Sequence, residues 1–244
     1  MVASVNSVYQ LVMRRSAKEE NGFISHEDFN SYARSNQQKL FQSIYAEYRQ
    51  FLANKQRYLT TWKGNYNSLE AIADDLLPLR RNRVALASSA SNNIFQYPSD
   101  YAYFIDVEYN GKNVTLIDVA DRSYYVNSYD AAPSAADAVA VKDYVSIELL
   151  PSTATSEVSL SYFKLPQGTT TTGAPSTSYP TWGYTAVSGK SVYNSSTSID
   201  FELPAQLEYR LATMILQDVG IEIREAELFQ MANVQEQKET QDIN

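Results

Sequence analysis

From Val5 the apolar residues recur at helical steps, with Val5, Val8, Leu11 and Val12 on one side of a helix predicted over residues 4–18. From His26 to about Trp62 there is neither Gly nor Pro. Phe41, Ile44, Tyr45, Tyr48, Phe51, Leu52, Tyr58, Leu59 and Trp62 follow at three- and four-residue intervals. That span predicts one long helix of about 50 Å at about 1.5 Å per residue, with an aromatic stripe packed against a neighbour. A short helix follows, with Leu69, Ile72, Ala73 and Leu76 inside, and it stops near Pro78.

Beyond Val84 the period changes from helical to alternating. "YAYFIDVEYNGKNVTLIDV" places two β-rich runs around Asn110-Gly111, a pair suited to a type I′ hairpin turn. "DYVSIELLP", "EVSLSYFKLP" and "PTWGYTAVSGKSVYNSSTSIDFELP" supply further strands. The polar stretch at residues 166–180, "PQGTTTTGAPSTSYP", predicts a long exposed loop that is mobile in the isolated subunit and ordered only against a partner. After Pro204, Leu207, Leu211, Met214 and Ile215 restore the helical period up to Gly220. A last helix and a fraying polar tail are expected beyond it. The predicted class is α+β, with N-terminal helices at 1–83, a central, mostly antiparallel β-sandwich or small barrel at 84–202, and C-terminal helices at 203–244.

The joint between the first two helices has two readings. In "KEENGFISHEDF", Gly22 as the sixth position of a calcium loop would put Ala17 first, Glu19 third, Asn21 fifth and Asp28 twelfth. Alanine has no ligand atom and Asp28 is short for the bidentate position. The second reading accounts for more of the letters. Asn21-Gly22 closes one helix, Ser25 caps the next with Asp28 completing a capping box, and Ile24 and Phe29 form a hydrophobic staple.

Composition narrows the chemistry. The 244 residues are 44% hydrophobic, no apolar run approaches the length that spans a bilayer, and the charges at the N-terminus follow the apolar part, the reverse of a secretory signal. Absence of cysteine removes disulfides, thiolate metal sites and cysteine nucleophiles. A single histidine, His26, read as a solvated surface residue, removes histidine triads and multi-histidine sites within one chain. The net charge of −8 is uneven: residues 1–83 carry 12 Lys and Arg against 8 Asp and Glu, whereas 84–202 carry 5 against 12. An acidic body opposes nucleic acid as the main partner, while a chain with basic and acidic portions suits contact with copies of itself. Arg80, Arg81 and Arg83 close the basic portion and are the candidate inter-subunit interface, meeting carboxylates of a neighbour through bidentate contacts.

The common catalytic signatures are missing: no GxSxG, Walker A, GxGxxG, HExxH or paired CxxC. Asp74 and Asp75 are adjacent on a helix and diverge. Asp106, Glu108, Asp118 and Asp121 are the carboxylates from which a glycosidase pair could be drawn. The expectation is a protein without catalytic, metal or cofactor sites, with 19 tyrosines keeping a carbohydrate-binding β-module as the rival.

Two passages go further. "VYQLVMRRSAKEENGFISHEDFNSYARSNQQKLFQSIYAEY" sets a short helix, an Asn-Gly joint and a long Gln/Tyr-rich helix in series. "YPTWGYTAVSGKSVYNSSTSIDFELPAQLEYRLATMILQDVGIEIREAELFQMANVQEQK" sets a Pro-aromatic strand, then "SIDFELP", then an amphipathic helix. Both resemble the neck, or head-to-tail connector, ring proteins of short-tailed phages, especially crAss-like phages. The resemblance covers most of both ends, and the middle is compatible with it. It implies a virion structural protein assembled in the bacterial cytoplasm, without enzymatic activity. Copies would form a ring, twelve by analogy with portal symmetry. The implied partners are the portal and adjacent neck or tail proteins, with DNA passing through the channel unread and no membrane involved. The alternatives are a tail or receptor-binding module that binds host glycans and, further off, a glycan-processing enzyme.

Overall fold

The computed structural model describes residues 2–18, 24–57, 66–87, 93–128, 132–153 and 157–219. Three helices come first: α1 (Val5–Lys18), α2 (His26–Arg57) and α3 (Tyr66–Leu76). A run of short strands follows: β1 (Arg80–Ala85), β2 (Ile94–Gln96), β3 (Tyr101–Tyr109), β4 (Lys112–Asn113) and β5 (Thr115–Asp118). Helix α4 (Arg122–Asn127) precedes β6 (Val139–Lys142), β7 (Ser146–Leu150) and β8 (Val158–Lys164). Then come β9 (Gly168–Thr170), β10 (Pro175–Ser176), β11 (Tyr184–Val187), β12 (Lys190–Tyr193), β13 (Ile199–Phe201) and α5 (Glu208–Asp218). The chain forms two compact units, one from residues 1–78 with 166–244, the other from 79–165.

The first unit joins the two ends of the chain. Ala3 N donates to Leu203 O at 2.7 Å and Phe201 N to Ala3 O at 3.1 Å, so the N-terminal residues pair with the "SIDFELP" segment. Helix α1 has no acidic residue in its own first turn. Asp200 supplies the missing acceptor: its Oδ1 takes the Val5 N–H at 2.8 Å, and Glu208 Oε1 takes the Ser4 N–H at 2.8 Å. Two carboxylates some 200 residues away thus satisfy donors that a helix start leaves open and face its positive dipole end.

Helix α2 begins at the expected cap, Ser25, with one half of the capping box: Asp28 takes the Ser25 hydroxyl in place of the Ser25 amide. Asp28 N donates to Ser25 Oγ at 3.1 Å, Ser25 Oγ donates to Asp28 Oδ2 at 2.6 Å, and Ile24 and Phe29 are both buried. Asp28 is engaged by the cap; the other positions of the calcium-loop reading, Asn21-Gly22 included, lie outside the described residues or side chains. Phe41 and Ile44 of the aromatic stripe are buried, and Lys39 and Glu47 flank them with ion pairs to Asp218 and Arg210 of α5 at 2.9 and 3.2 Å. Tyr58, Leu59 and Trp62 lie outside the described residues, as does everything after Val219, so the expected second C-terminal helix is not described.

The second unit is a sandwich, not a closed barrel. One sheet has the order β1-β8-β3-β4 and the other β2-β7-β6-β5. Val107, Tyr109, Val158, Leu160 and Tyr162 from the first meet Phe95, Ala140, Ile147 and Leu149 from the second in one buried core. Pairing is antiparallel except between β5 and β6. The Asn-Gly turn is present, with Asn110 at φ 51° and Gly111 at φ 72°, pairing Glu108 with Asn113 and Tyr109 with Lys112. Only two residues of the returning arm stay in that hairpin. From Thr115 the chain crosses to the other sheet and runs parallel to β6, burying Ile117 beneath α4 beside Val139, Val141 and Leu150.

Three expectations change. The units do not divide at 83 and 202: Arg80–Ala85 is a strand of the sandwich, paired with β8, while β9 to β13 belong with the terminal helices. Residues 166–180 are not one open loop. β9 pairs with both β10 and β13, Gly168 and Thr169 are buried, and the Arg34 guanidinium lies 3.7 Å from the Tyr179 ring centroid, so exposure is confined to Thr171–Pro175 at the tip and to Thr177 and Ser178 beyond β10. His26 is not merely solvated: its Nδ1 is 3.0 Å from the Tyr9 hydroxyl, and its ring lies 4.7 Å from those of Trp182 and Tyr184.

Candidate functional site

The outer face of the sheet β1-β8-β3-β4 carries a polar cleft of about 540 Å³. Alternation builds it. With Val107, Leu160 and Val84 turned to the core, the intervening Asp106, Glu108 and Ser161 face outward. Asn113 sits directly opposite Glu108, and Ser161 opposite Asp106. Arg80, Asn82 and Arg83 close the cleft from the edge strand, and Ile105 is its one large apolar wall.

A bulge aims the arginines. Arg81 pairs with Tyr162 but Val84 with Leu160, so two residues of β1, Asn82 and Arg83, stand against Ser161 alone. Arg83 absorbs the extra residue at φ 51°, a left-handed conformation that costs a side-chain-bearing residue about 1 kcal/mol or more. Its amide donates to Ser161 Oγ at 3.3 Å, and its Nε to Glu108 Oε1 at 2.9 Å. Glu108 is buried at 10% side-chain exposure, whereas Arg83 is 72% exposed. The pair therefore anchors an exposed guanidinium over a buried carboxylate. Arg80 Nε donates to Asn82 Oδ1 at 2.8 Å, which orients its guanidinium along the same rim.

The three arginines read from the sequence thus divide. Arg80 and Arg83 line the cleft, while Arg81 lies near the Tyr162 hydroxyl, whose ionisation is pushed well upward by burial and by its hydrogen bond to Asp100. The four candidate carboxylates divide as well: Asp106 and Glu108 come together in the cleft, whereas Asp118 caps a short 3-10 turn through the Ala120 amide at 3.1 Å. Asp121 follows it in that turn, exposed. Asp106 accepts from the Val107 amide at 2.9 Å and Glu108 is committed to Arg83, so both carboxylates are engaged as acceptors within the chain.

Comparison with protein-family models and with curated proteins returns no match. The cleft therefore has to be read from its own chemistry. Guanidinium groups on its rim offer paired donors to carboxylates, and the Asn and Ser side chains add neutral donors and acceptors. That set suits recognition of a polar, carboxylate-bearing surface.

Asn82, Asn113 and Ser161 join the site although the motifs of the sequence do not single them out. Asn113 was legible once Asn110-Gly111 was read as a two-residue turn, because register then sets it across from Glu108. Ser161 was legible from the alternation of "EVSLSYFKLP". Asn82 joins only because of the bulge, which the sequence does not signal. The aromatic cluster of Tyr9, His26, Trp182 and Tyr184 is no open sugar platform: Trp182 is buried, with its indole N–H on Asn6 Oδ1 at 3.2 Å and its ring stacked 4.1 Å from Tyr9.

Proposed function

We propose that this chain is a virion structural subunit that associates with copies of itself into a ring between portal vertex and tail, leaving a channel for DNA. The observation that carries the reading is that the two segments bearing the resemblance fold as one body. The N-terminal helices and the "SIDFELP"-to-helix segment share backbone pairing at Ala3, caps at Asp200 and Glu208, and the Asn36–Lys39–Asp218 network. A neck subunit needs such a rigid body to hold its place in a stack. The role is binding and fit, without chemistry, and the net charge of −8 opposes retention of DNA phosphates.

The Arg80–Arg83 rim supports the same reading as a contact for a neighbour's carboxylates. Because Arg83 neutralises the buried Glu108, reversal of all three arginines would damage the fold as well as the rim. Arg80→Glu with Arg81→Glu is the cleaner variant, and its assembly should weaken while wild-type assembly falls with added salt. Negative-stain microscopy of the purified chain, alone and mixed with portal protein, should show closed rings with a central opening. A chain that stays monomeric in both samples, or that binds host glycans specifically, overturns the reading.

A further inference from the structure

Two uncovered apolar surfaces of the described chain complement one another. The first is the β11–β12 hairpin, turned at Ser188 (φ 51°) and Gly189 (φ 76°). Its inner face is fixed by Tyr184 and Tyr193, whose rings lie about 6.0 Å from Trp182. Register puts Thr185 opposite Val192 and Val187 opposite Lys190 on the other face, where Val187 is 53% and Val192 49% exposed. Among the described residues this ribbon pairs with no third strand, and its outer face is exposed.

The second surface is at one end of the β2-β7-β6-β5 sheet. Asp118 pairs with Lys142, so the turn holding Val119 and Asp121 and the turn holding Asp143 and Tyr144 leave the sheet side by side. Helix α4 follows, held down by the Arg122–Glu148 ion pair at 2.7 Å and by the half-buried Tyr125, which packs against the core beneath it. Exposed there are Val119 at 50%, Tyr124 at 70% and Tyr144 at 94%. Exposed apolar groups gathered this way mark contact surfaces more often than singly scattered ones do.

We propose that the outer face of the β11–β12 hairpin of one copy docks on the Val119–Tyr144 surface of a second copy. Charge selects this occupant. Between Tyr184 and Tyr193 the only ionisable charge is Lys190, whereas the receiving surface holds Asp118, Asp121 and Asp143 against Lys142, with Arg122 spent on Glu148. Both halves are on the same chain, so every copy presents a donor and an acceptor. Such a heterologous contact propagates from subunit to subunit and closes into a ring when its rotation allows. The inference rests on the reading of the chain as a self-assembling subunit and adds a second contact to that of the Arg80–Arg83 rim.

The absence of cysteine makes the test direct, since introduced thiols are the only ones. Thr185→Cys chains, carrying a mass tag, are mixed with untagged Ser123→Cys chains under mild oxidation, which leaves Lys190 and the three aspartates in place. A disulfide joining the two chains should form about tenfold more than from Thr172→Cys with Ser123→Cys, a pair whose first member is also exposed but lies on another loop. In parallel, Val187→Glu with Val192→Glu should raise the concentration needed for assembly by about tenfold or more in sedimentation velocity. If the wild-type chain assembles but neither effect appears, the hairpin contact is wrong and the ring reading stands. If the double variant assembles normally but loses portal or tail protein, the hairpin serves that partner and the inference fails. A wild-type chain that remains monomeric at all concentrations overturns both.

Discussion

At the scale of single residues, the fold is decided by side chains that reach far along the chain. Asp200 caps α1 from the other end of the sequence, and removing its oxygen leaves a buried amide donor open. Asp200→Ala should destabilise the first unit by about 1–2 kcal/mol, whereas the local cap Ser25→Ala should cost about 1 kcal/mol. Urea titration followed by tryptophan fluorescence measures both, and an unchanged midpoint removes the capping role. Asp218 gives the pH dependence. Hydrogen bonds from Lys39 and Asn36 hold its carboxyl below the ordinary value of 3.8, so its contribution is present above that value and is lost as the pH falls through the depressed native one. With Lys39 half exposed, the effect is a fraction of a kcal/mol. Asp218→Asn should flatten the stability curve below about pH 4, as acid titration of the melting temperature will show.

At the scale of elements, close approach of strands explains why β9 begins with glycine. A Cβ on Gly168 would lie 2.2 Å from Ile199 Cγ2 and 2.8 Å from the Ser178 carbonyl oxygen. One of those neighbours is backbone, so Gly168→Ala has to push β13 or the segment beyond β10 aside, and β13 carries the Asp200 cap. We expect a loss of about 2–3 kcal/mol and faster proteolysis between Thr171 and Ser178, with wild-type resistance in the variant as the contrary result. In the sandwich, the β1 bulge is the corresponding device. Arg83→Gly relieves the left-handed strain but strands Glu108, so it should destabilise by about 1–3 kcal/mol despite the better backbone fit, and Arg83→Gly with Glu108→Gln should recover most of that loss in thermal denaturation.

At the scale of the whole molecule, the chain leaves one compact unit at Pro78 and returns to it at Pro166, and the second unit keeps its own core. Both tryptophans, Trp62 and Trp182, fall in the sequence of the first unit. Fluorescence therefore follows one unit while circular dichroism sees both. Leu160→Ala, in the sandwich core, should cost about 2–5 kcal/mol and move the circular-dichroism transition more than the fluorescence transition. Coincident shifts would mean that the two units unfold as one.

What the sequence determined by itself is what short-range physics controls. The helical and alternating periods placed α1, the run of α2 from His26, α3, β3, β7, β8 and α5, because side-chain burial repeats within a few residues. Ser25 with Asp28 and Asn110-Gly111 gave their cap and turn, because those geometries are local. Tertiary structure decided the rest. β1 reads as a charged run, β6 as an alanine-rich loop and β2 as three residues among polar neighbours; each is a strand because a partner across the sheet takes its amides. The parallel turn of β5 into the second sheet, the closure of 166–180 onto β13, and the placing of Arg80 and Arg83 over Asp106 and Glu108 depend on pairings between distant residues. The loop entropy those pairings overcome and the register they adopt are properties of the packed whole, and no window of the sequence contains them.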